Sequence, residues 1–447
     1  MEPERIFIRK IYTRLLQWKE QSRGKSALLI EGARRIGKST VVKTFAKNEY
    51  ESFILIDFTK CPQEVKNLFN DVSDLNYIFL RLQLIYGVKL VERKSLIVFD
   101  EVQFQPLARQ AIKSFVEDRR YDYIETGSLI SIRKNTSNIL IPSEEERVNM
   151  YPMDYEEFRW ALGDMATVPL LRSVAEHPQP LKEAHRMMMR DFRLYMLVGG
   201  MPQAVEAYLE SNNFEVVDHT KRLILDLYDE DFGKIDPSGK ASRIFAAIPA
   251  QLNGNASRYQ ISGVIPGAHM EDYMELISEM EKTKTVNVSH HSDDPNVGLG
   301  STEELKRYKM FVGDTGLFVT LAFKDKAFTE NIIYERLLSD KLSSNLGYLY
   351  ENIVAQMLTA SGYKLFYHVW PTESGKHNYE IDFLLSRGTK VTPIEVKSSS
   401  YKTHASLDAF CRKYSSRVTN DRYLIYTKDY AKKESVTYLP TYLAFFL

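Results

Sequence analysis

The sequence predicts an α/β fold class, and three observations carry that reading. Short apolar runs ending in an acid or a glycine alternate with helical spacing through the first third. A chiefly helical middle follows, and two strands joined by a turn stand behind an apolar helix near the end. At 447 residues the chain has room for about three domains of roughly 150 residues each. Hydrophobic residues at 44% and charged residues at 26% are ordinary globular usage, which argues against a largely disordered or fibrous chain.

The net charge is +0, so any surface for nucleic acid or an anionic membrane must be local. Cys61 and Cys411 stand far apart with no Cys or His at ligand spacing, which excludes a disulfide framework and a cysteine zinc site and fits a reducing compartment. Met1 to Arg9 lacks the apolar stretch of a secretory signal. The longest apolar runs, such as Ser95 to Phe99 and Tyr195 to Gly200, fall short of the roughly 20 residues that cross a bilayer. The expectation is a cytoplasmic protein with no membrane partner.

Ala27 to Ile30 reads as a buried strand feeding a turn, with a helix beginning near Lys38. Between them lies Gly32-Ala33-Arg34-Arg35-Ile36-Gly37-Lys38-Ser39, a phosphate-binding loop. Its backbone N–H groups can surround phosphate oxygens because strand and helix fix both ends and the helix N-terminus faces the anion. ATP with Mg2+ is the expected ligand. Lys38 is expected to reach the β- and γ-phosphates, Ser39 to coordinate Mg2+, and Thr40 to begin the inward packing of the helix.

Ser95 to Phe99 is an apolar strand ending in Asp100 and Glu101, the end at which ligands of open parallel sheets bind. Asp100 is placed to hold Mg2+ through its water shell, and Glu101 to polarise the attacking water as general base. Phe53 to Asp57 and Tyr123 to Thr126 supply further strands, with Ala111, Phe115 and Val116 at helical spacing between them. Thr126 or Ser128 would then sense the γ-phosphate. This alternation predicts a P-loop NTPase parallel sheet with helices on both faces.

Nearly the whole chain resembles the bacterial AAA-like, STAND-related P-loop ATPases that carry a C-terminal domain of unknown function. The family's G-x-R-x-x-G-K-[ST] loop corresponds to Gly32 through Ser39 with Arg34. Its D-E and T-G-S strand ends correspond to Asp100-Glu101 and Thr126-Gly127-Ser128, and its P-x-x-x-x-E-F segment to Pro152 through Phe158. The family's G-R pair is Glu146-Arg147 here, without the glycine. The resemblance offers Arg147 as a γ-phosphate contact; beside Glu144 to Glu146 it reads equally as a solvated arginine. A homo-oligomer through the ATPase domain is a further candidate partner.

From Met165 to Leu227 the pattern is mainly helical, with Met187, Met188, Met189 and Phe192 as core candidates. Gly199-Gly200-Met201-Pro202 interrupts it as a tight turn, which the family resembles too. Tyr273, Leu276, Ile277 and Met280 at helical spacing precede a short strand at Thr285 to Val288, an order compatible with a winged helix. That region is a DNA-contacting or docking wing in one reading and a structural spacer in the other.

Gly347 to Leu358 reads as an apolar helix carrying Glu351. Strands at Glu380 to Leu385 and Val391 to Lys397 are joined by Ser386-Arg387-Gly388. This is the D, then E-x-K, order of the restriction-endonuclease-like superfamily. Glu64-Val65-Lys66 and Glu92-Arg93-Lys94 carry the same tripeptide by composition; the hairpin position alone distinguishes Glu395 and Lys397. Asp382, Glu395 and Glu351 are expected to bind Mg2+, with Lys397 stabilising the attacking hydroxide. Downstream, Lys413, Arg417, Arg422 and Lys428 interleave with Tyr414, Tyr423 and Tyr426. They form either a surface for DNA or RNA phosphates or a solvated face. The expected divisions are an ATPase domain at 1–164, a helical lid or linker at 165–235, a winged-helix-like region at 236–330 and a nuclease-like domain at 331–447.

Overall fold

Strands β1 (Ala27–Glu31), β2 (Ser52–Asp57), β3 (Ser95–Asp100), β4 (Asp122–Gly127) and β5 (Glu145–Asn149) form one parallel sheet in the order β2-β3-β4-β1-β5. The computed structural model describes residues 5–127, 143–254, 257–296, 298–325, 328–339, 347–399 and 402–447. It falls into two units, Met1–Tyr151 and Pro152–Leu447. In the first, β1, β3 and β4 are buried along their whole length, as continuous apolar strands covered on both faces must be. Phe99, Phe115 and Tyr123 stack in the core, with ring centroids 5.9 Å apart for Phe99 and Phe115 and 5.5 Å for Phe115 and Tyr123. Phe115 belongs to helix Pro106–Asp118, which buries Ala111 and Val116 beside it, the spacing read from the sequence. The strand order sets β4 between β1 and β3, so the end of β4 lies between the phosphate-loop strand and the acidic strand.

Strand β5 has no apolar alternation, and the sequence reads it only as an acid-rich segment. Charge pairing makes it a strand. Arg109, 2% exposed, donates to both oxygens of Glu145, with its Nη2 3.0 Å from Oε1, while Arg147 Nε donates to the same Oε1 at 2.9 Å. Glu125, on β4, shares the cluster. Burial, together with the facing Glu145, pushes its carboxyl well above the usual range.

In the second unit, Asp154 caps helix Tyr155–Ala161 in a reciprocal box with Glu157. Helices Thr167–Glu176, Glu183–Val198, Pro202–Ser211 and Phe214–Ile235 follow. Met188, Met189 and Phe192 are core, while Met187 is exposed. The Gly199-Gly200 turn packs against Asp314: Gly200 N–H donates to its Oδ2 at 2.6 Å, and a Cβ on Gly199 would lie 2.4 Å from its Oδ1.

The winged-helix reading meets a different arrangement. Helix Met274–Lys282 precedes β6 (Val286–Ser292) and β7 (Glu303–Val312), an antiparallel pair. Yet β6 also pairs in parallel with β8 (Leu365–Pro371), and β8 with β9 (Asn378–Ile381), giving the order β7-β6-β8-β9. The hairpin forms one side of a sheet, with β7 at its edge, that crosses the expected 330/331 division. A second sheet, β10-β11-β12-β14-β13, holds β10 (Phe383–Arg387), β11 (Lys390–Lys397), β12 (Tyr423–Tyr426), β13 (Ala431–Lys433) and β14 (Val436–Pro440). The predicted hairpin is present, with Phe383 opposite Ile394. Its first strand is broken at Asp382, where the chain leaves one sheet for the other.

Candidate functional site

The phosphate loop follows β1 as its motif requires. Gly32 is packed so closely that a Cβ would stand 2.4 Å from Met150 O and 2.5 Å from Ile36 Cδ1. Gly37 caps helix Lys38–Glu49 at φ 92°, and Arg35 takes φ 68°; left-handed backbone at both positions bends the loop around the helix N-terminus. Ala33 and Ile36 are buried, Arg34 is half-buried, Arg35 is exposed, and the Thr40 carbonyl accepts from Thr44 within the helix. Lys38 is buried and donates to the carbonyls of Gly32 at 3.0 Å and Ala33 at 2.9 Å, which holds its ammonium inside the loop.

Three strand and helix ends meet at Asp100. Its Oδ1 accepts from the Ser39 hydroxyl at 2.7 Å and from the Thr126 hydroxyl. The backbone N–H of Glu101 donates to Thr126 Oγ1 at 3.2 Å. Glu101 itself sits at φ 55°, an uncommon conformation for a residue with a side chain, and its Oε2 accepts from Gln103. Asp57 ends the neighbouring strand in register with Asp100. The sequence-predicted Lys38, Ser39, Asp100, Glu101 and Thr126 are thus brought to one end of the sheet, whereas Ser128 lies outside the described residues.

Arg9 is a contributor that sequence reading missed. Only 7% exposed, it donates to Ile36 O in the loop and to Tyr151 O, both at 2.7 Å. No local signal marks it, since 27 residues separate it from Ile36. Arg147 stands on the edge strand with Glu145 and, at 3.9 Å, Glu31. That places it in the Arg109 cluster, not in the Lys38–Ser39–Asp100 group.

The C-terminal carboxylates do not meet as the sequence predicts. Glu351, on helix Gly347–Ala360, and Asp382 converge with Glu380 on the buried ammonium of Lys309, which lies 3.4 Å from Glu351 Oε2 and 3.9 Å from Asp382 Oδ1. Burial, which disfavours an ammonium, is outweighed there by the three carboxylates, and Lys309 is held well above the usual lysine range. Asp382 is pushed up by burial and by Glu351. The break in the strand explains the divergence: Asp382 Oδ2 accepts from Val396 N–H at 2.8 Å, and its free face turns to Lys309. Glu395 pairs instead with Lys397 at 3.1 Å, and its electrostatic neighbours are His404 and Asp408, of the segment that forms helix Ala405–Lys413. Its carboxyl is raised by burial, and its Oε2 has no hydrogen-bond partner.

Residues 24–159 match a family described as an AAA domain, so the chain carries a P-loop ATPase domain of that class. Residues 189–327 and 346–443 match two domains of unknown function, DUF8612 and DUF4143. No curated protein matches the sequence. Among solved structures, the Walker-type ATPase PABY2304 of Pyrococcus abyssi is 17% identical with a TM-score of 0.40, covering 71% of this chain and 96% of its own. The Aeropyrum pernix ORC1 protein in complex with DNA is 13% identical, TM-score 0.27, over 76% and 94% of the two chains. A STAND protein with a tetratricopeptide repeat sensor, PH0952 of Pyrococcus horikoshii, is 14% identical, TM-score 0.29, over 80% and 46%. Among the described residues, no helix is long and apolar enough to cross a membrane.

Proposed function

We propose that this protein binds ATP with Mg2+ and hydrolyses it, and that its C-terminal part serves as a nucleotide-responsive binding or scaffold element that does not cut nucleic acid. The observation that carries the first half is the meeting of Ser39, Thr126 and Asp100 beside Lys38 at the C-terminal end of a parallel sheet. A hydroxyl and a carboxylate 2.7 Å apart are hard oxygen donors of the kind Mg2+ takes, so the residues fit the ion. Mg2+, when bound, draws charge off the β- and γ-phosphate oxygens.

The chain's own residues divide the remaining work. Gly32 through Thr40 cradle the phosphates and Lys38 supplies a positive charge to them. Glu101 accepts a proton from the attacking water, and Thr126 fixes both Asp100 and the Glu101 backbone. Ser128 completes the γ-phosphate contacts in this reading, and Arg147, paired with Glu145, takes no part.

The second half rests on Lys309. An ammonium already neutralises Glu351, Glu380 and Asp382, and Glu395 keeps other neighbours, which weighs against a metal shared by Asp382, Glu395 and Glu351 beside Lys397. Cleavage of DNA or RNA is the rival reading, favoured by the buried, unpartnered Oε2 of Glu395. One experiment separates them: the purified chain in Mg2+ is incubated with single- and double-stranded DNA and RNA, with and without ATP, while phosphate release is followed. Phosphate release without strand cleavage is expected. Cleavage abolished by Glu395→Ala would establish the rival, and absence of ATP turnover would remove the first half.

A further inference from the structure

A separate cluster lies at the loop end of the β6–β7 hairpin. The pairing of these strands shifts register between His290 and His291: His290 faces Tyr308, and the next residue faces Glu304. Three residues of β7 are looped past by that bulge, and its effect is to set Glu304 directly across from His291. Asp293 follows His291 by two positions, in the bend just past the end of β6. Register brings His291 opposite Glu304, and the bend after β6 brings Asp293 to them.

The distances agree. His291 Nδ1 lies 3.2 Å from Asp293 Oδ1 and 3.5 Å from Glu304 Oε2. Ligand atoms held about 2.1 Å from one ion at tetrahedral or octahedral angles stand roughly 3.0–3.4 Å apart. Among the described residues this is the one group of three such side chains with ligand atoms close enough to share an ion.

His291 is 2% exposed, and its Nδ1 has no hydrogen-bond partner although it is aimed between the two carboxylates. Its other nitrogen lies against β8, where Nε2 accepts from Val369 N–H at 3.1 Å and lies 3.3 Å from Val369 O. The ring proton of the empty site therefore sits on Nδ1 between Asp293 and Glu304; an ion that takes Nδ1 moves that proton to Nε2, where Val369 O accepts it. Neighbouring groups bound the site without joining it. His368 stacks on His291 with centroids 5.4 Å apart, and its own nitrogens are engaged by Ser292 O and the Tyr414 hydroxyl. Arg307 Nη1 donates at 3.3 Å to Glu304 Oε2, the oxygen that faces His291, so an ion there competes with the guanidinium for it. Asp293 is 64% exposed, so the cluster opens to solvent on that side.

We propose that His291, Asp293 and Glu304 bind one divalent transition ion of the zinc class, with an imidazole nitrogen and two carboxylate oxygens as ligands and the remaining positions held by water. The imidazole selects against Mg2+ and Ca2+, which prefer all-oxygen sites. The ion ties β6 to β7 beside the loop that joins them. This site is independent of the phosphate loop.

The test uses the full chain, stripped with chelator and free of nucleotide, titrated with Zn2+ by calorimetry and with Co2+ by visible absorption. One bound ion per chain, a cobalt d–d band and insensitivity to excess Mg2+ are expected. His291→Ala abolishes binding, Asp293→Asn weakens it about tenfold or more, and Ser39→Ala leaves it unchanged. Asp293 is exposed, so its variant folds as the parent does, and far-UV circular dichroism checks this. Failure of the wild-type chain to bind Zn2+ or Co2+, or equal binding by wild type and both hairpin variants, overturns the site: the Nδ1 proton then simply rests between two acids.

Discussion

The hydroxyl of Thr126, at the end of β4, donates to Oδ1 of Asp100, at the end of β3. The same oxygen accepts from Ser39 at 2.7 Å, so one atom ties two strands to the first turn of a helix. Thr126→Ala removes one of these bonds and leaves Asp100 anchored by the other. Nucleotide affinity is expected to change little, while turnover falls roughly tenfold, the equivalent of about 1.4 kcal/mol. Parallel binding and steady-state assays check both halves; an unchanged rate would remove Thr126 from the site.

Lys38→Ala withdraws the ammonium that Gly32 O and Ala33 O hold in the loop. Loss of a charge-assisted contact costs about 1.5–3 kcal/mol, so ATP affinity is expected to drop by roughly one to two orders of magnitude. Calorimetric titration with ATP and Mg2+ measures it. Retained affinity would refute the placement of the phosphates.

Glu101→Gln keeps the shape of the side chain and removes its basicity. Binding should persist and single-turnover hydrolysis should slow by about 10²–10⁴-fold. A variant that hydrolyses at the parental rate would show that another group takes the proton.

Arg9→Ala leaves the carbonyls of Ile36 and Tyr151 without their buried donor. The first unit is expected to lose about 2–4 kcal/mol of stability, with ATP binding weakened because the loop loses its strut. Urea unfolding followed with and without ATP reads both effects, and an unaltered midpoint would contradict the role.

Lys309→Met strips the countercharge from Glu351, Glu380 and Asp382, at a cost of about 3–5 kcal/mol near neutral pH. Asp382 is already raised above its ordinary 3.8 by burial and Glu351, and it rises further in the variant. A carboxyl raised in the folded state stabilises that state when protonated. The deficit is therefore smallest at low pH and grows as pH climbs through the raised values. Denaturation midpoints at pH 5 and pH 8 compare the two; equal deficits would mean that packing, not charge, sets the cost.

Strands β1 to β4 were legible because long apolar runs and helical spacing are local signals. The phosphate loop was legible because Gly, Lys and Ser at fixed spacing leave one chemistry open. Strand β5 was not: its stability comes from Arg109, 36 residues away in sequence, neutralising Glu145. The strand expected at Glu380 to Leu385 has two owners, because Asp382 replaces a ladder partner with a side-chain bond to Val396 and the chain changes sheets there. Lys309, which no motif marks, stands among Glu351, Glu380 and Asp382, two of which were expected to hold a metal with Glu395.

What the sequence by itself determined is the nucleotide loop, the acidic strand end that faces it and the α/β class, since each depends on residues close in the chain and on periodicity. The tertiary structure decided which charges meet. Arg9 beneath the loop, Lys309 among three carboxylates and the His291–Asp293–Glu304 group all depend on strand order, a sheet crossover or a register shift. Coulomb attraction and desolvation act through space between groups tens of residues apart, and no local pattern records them.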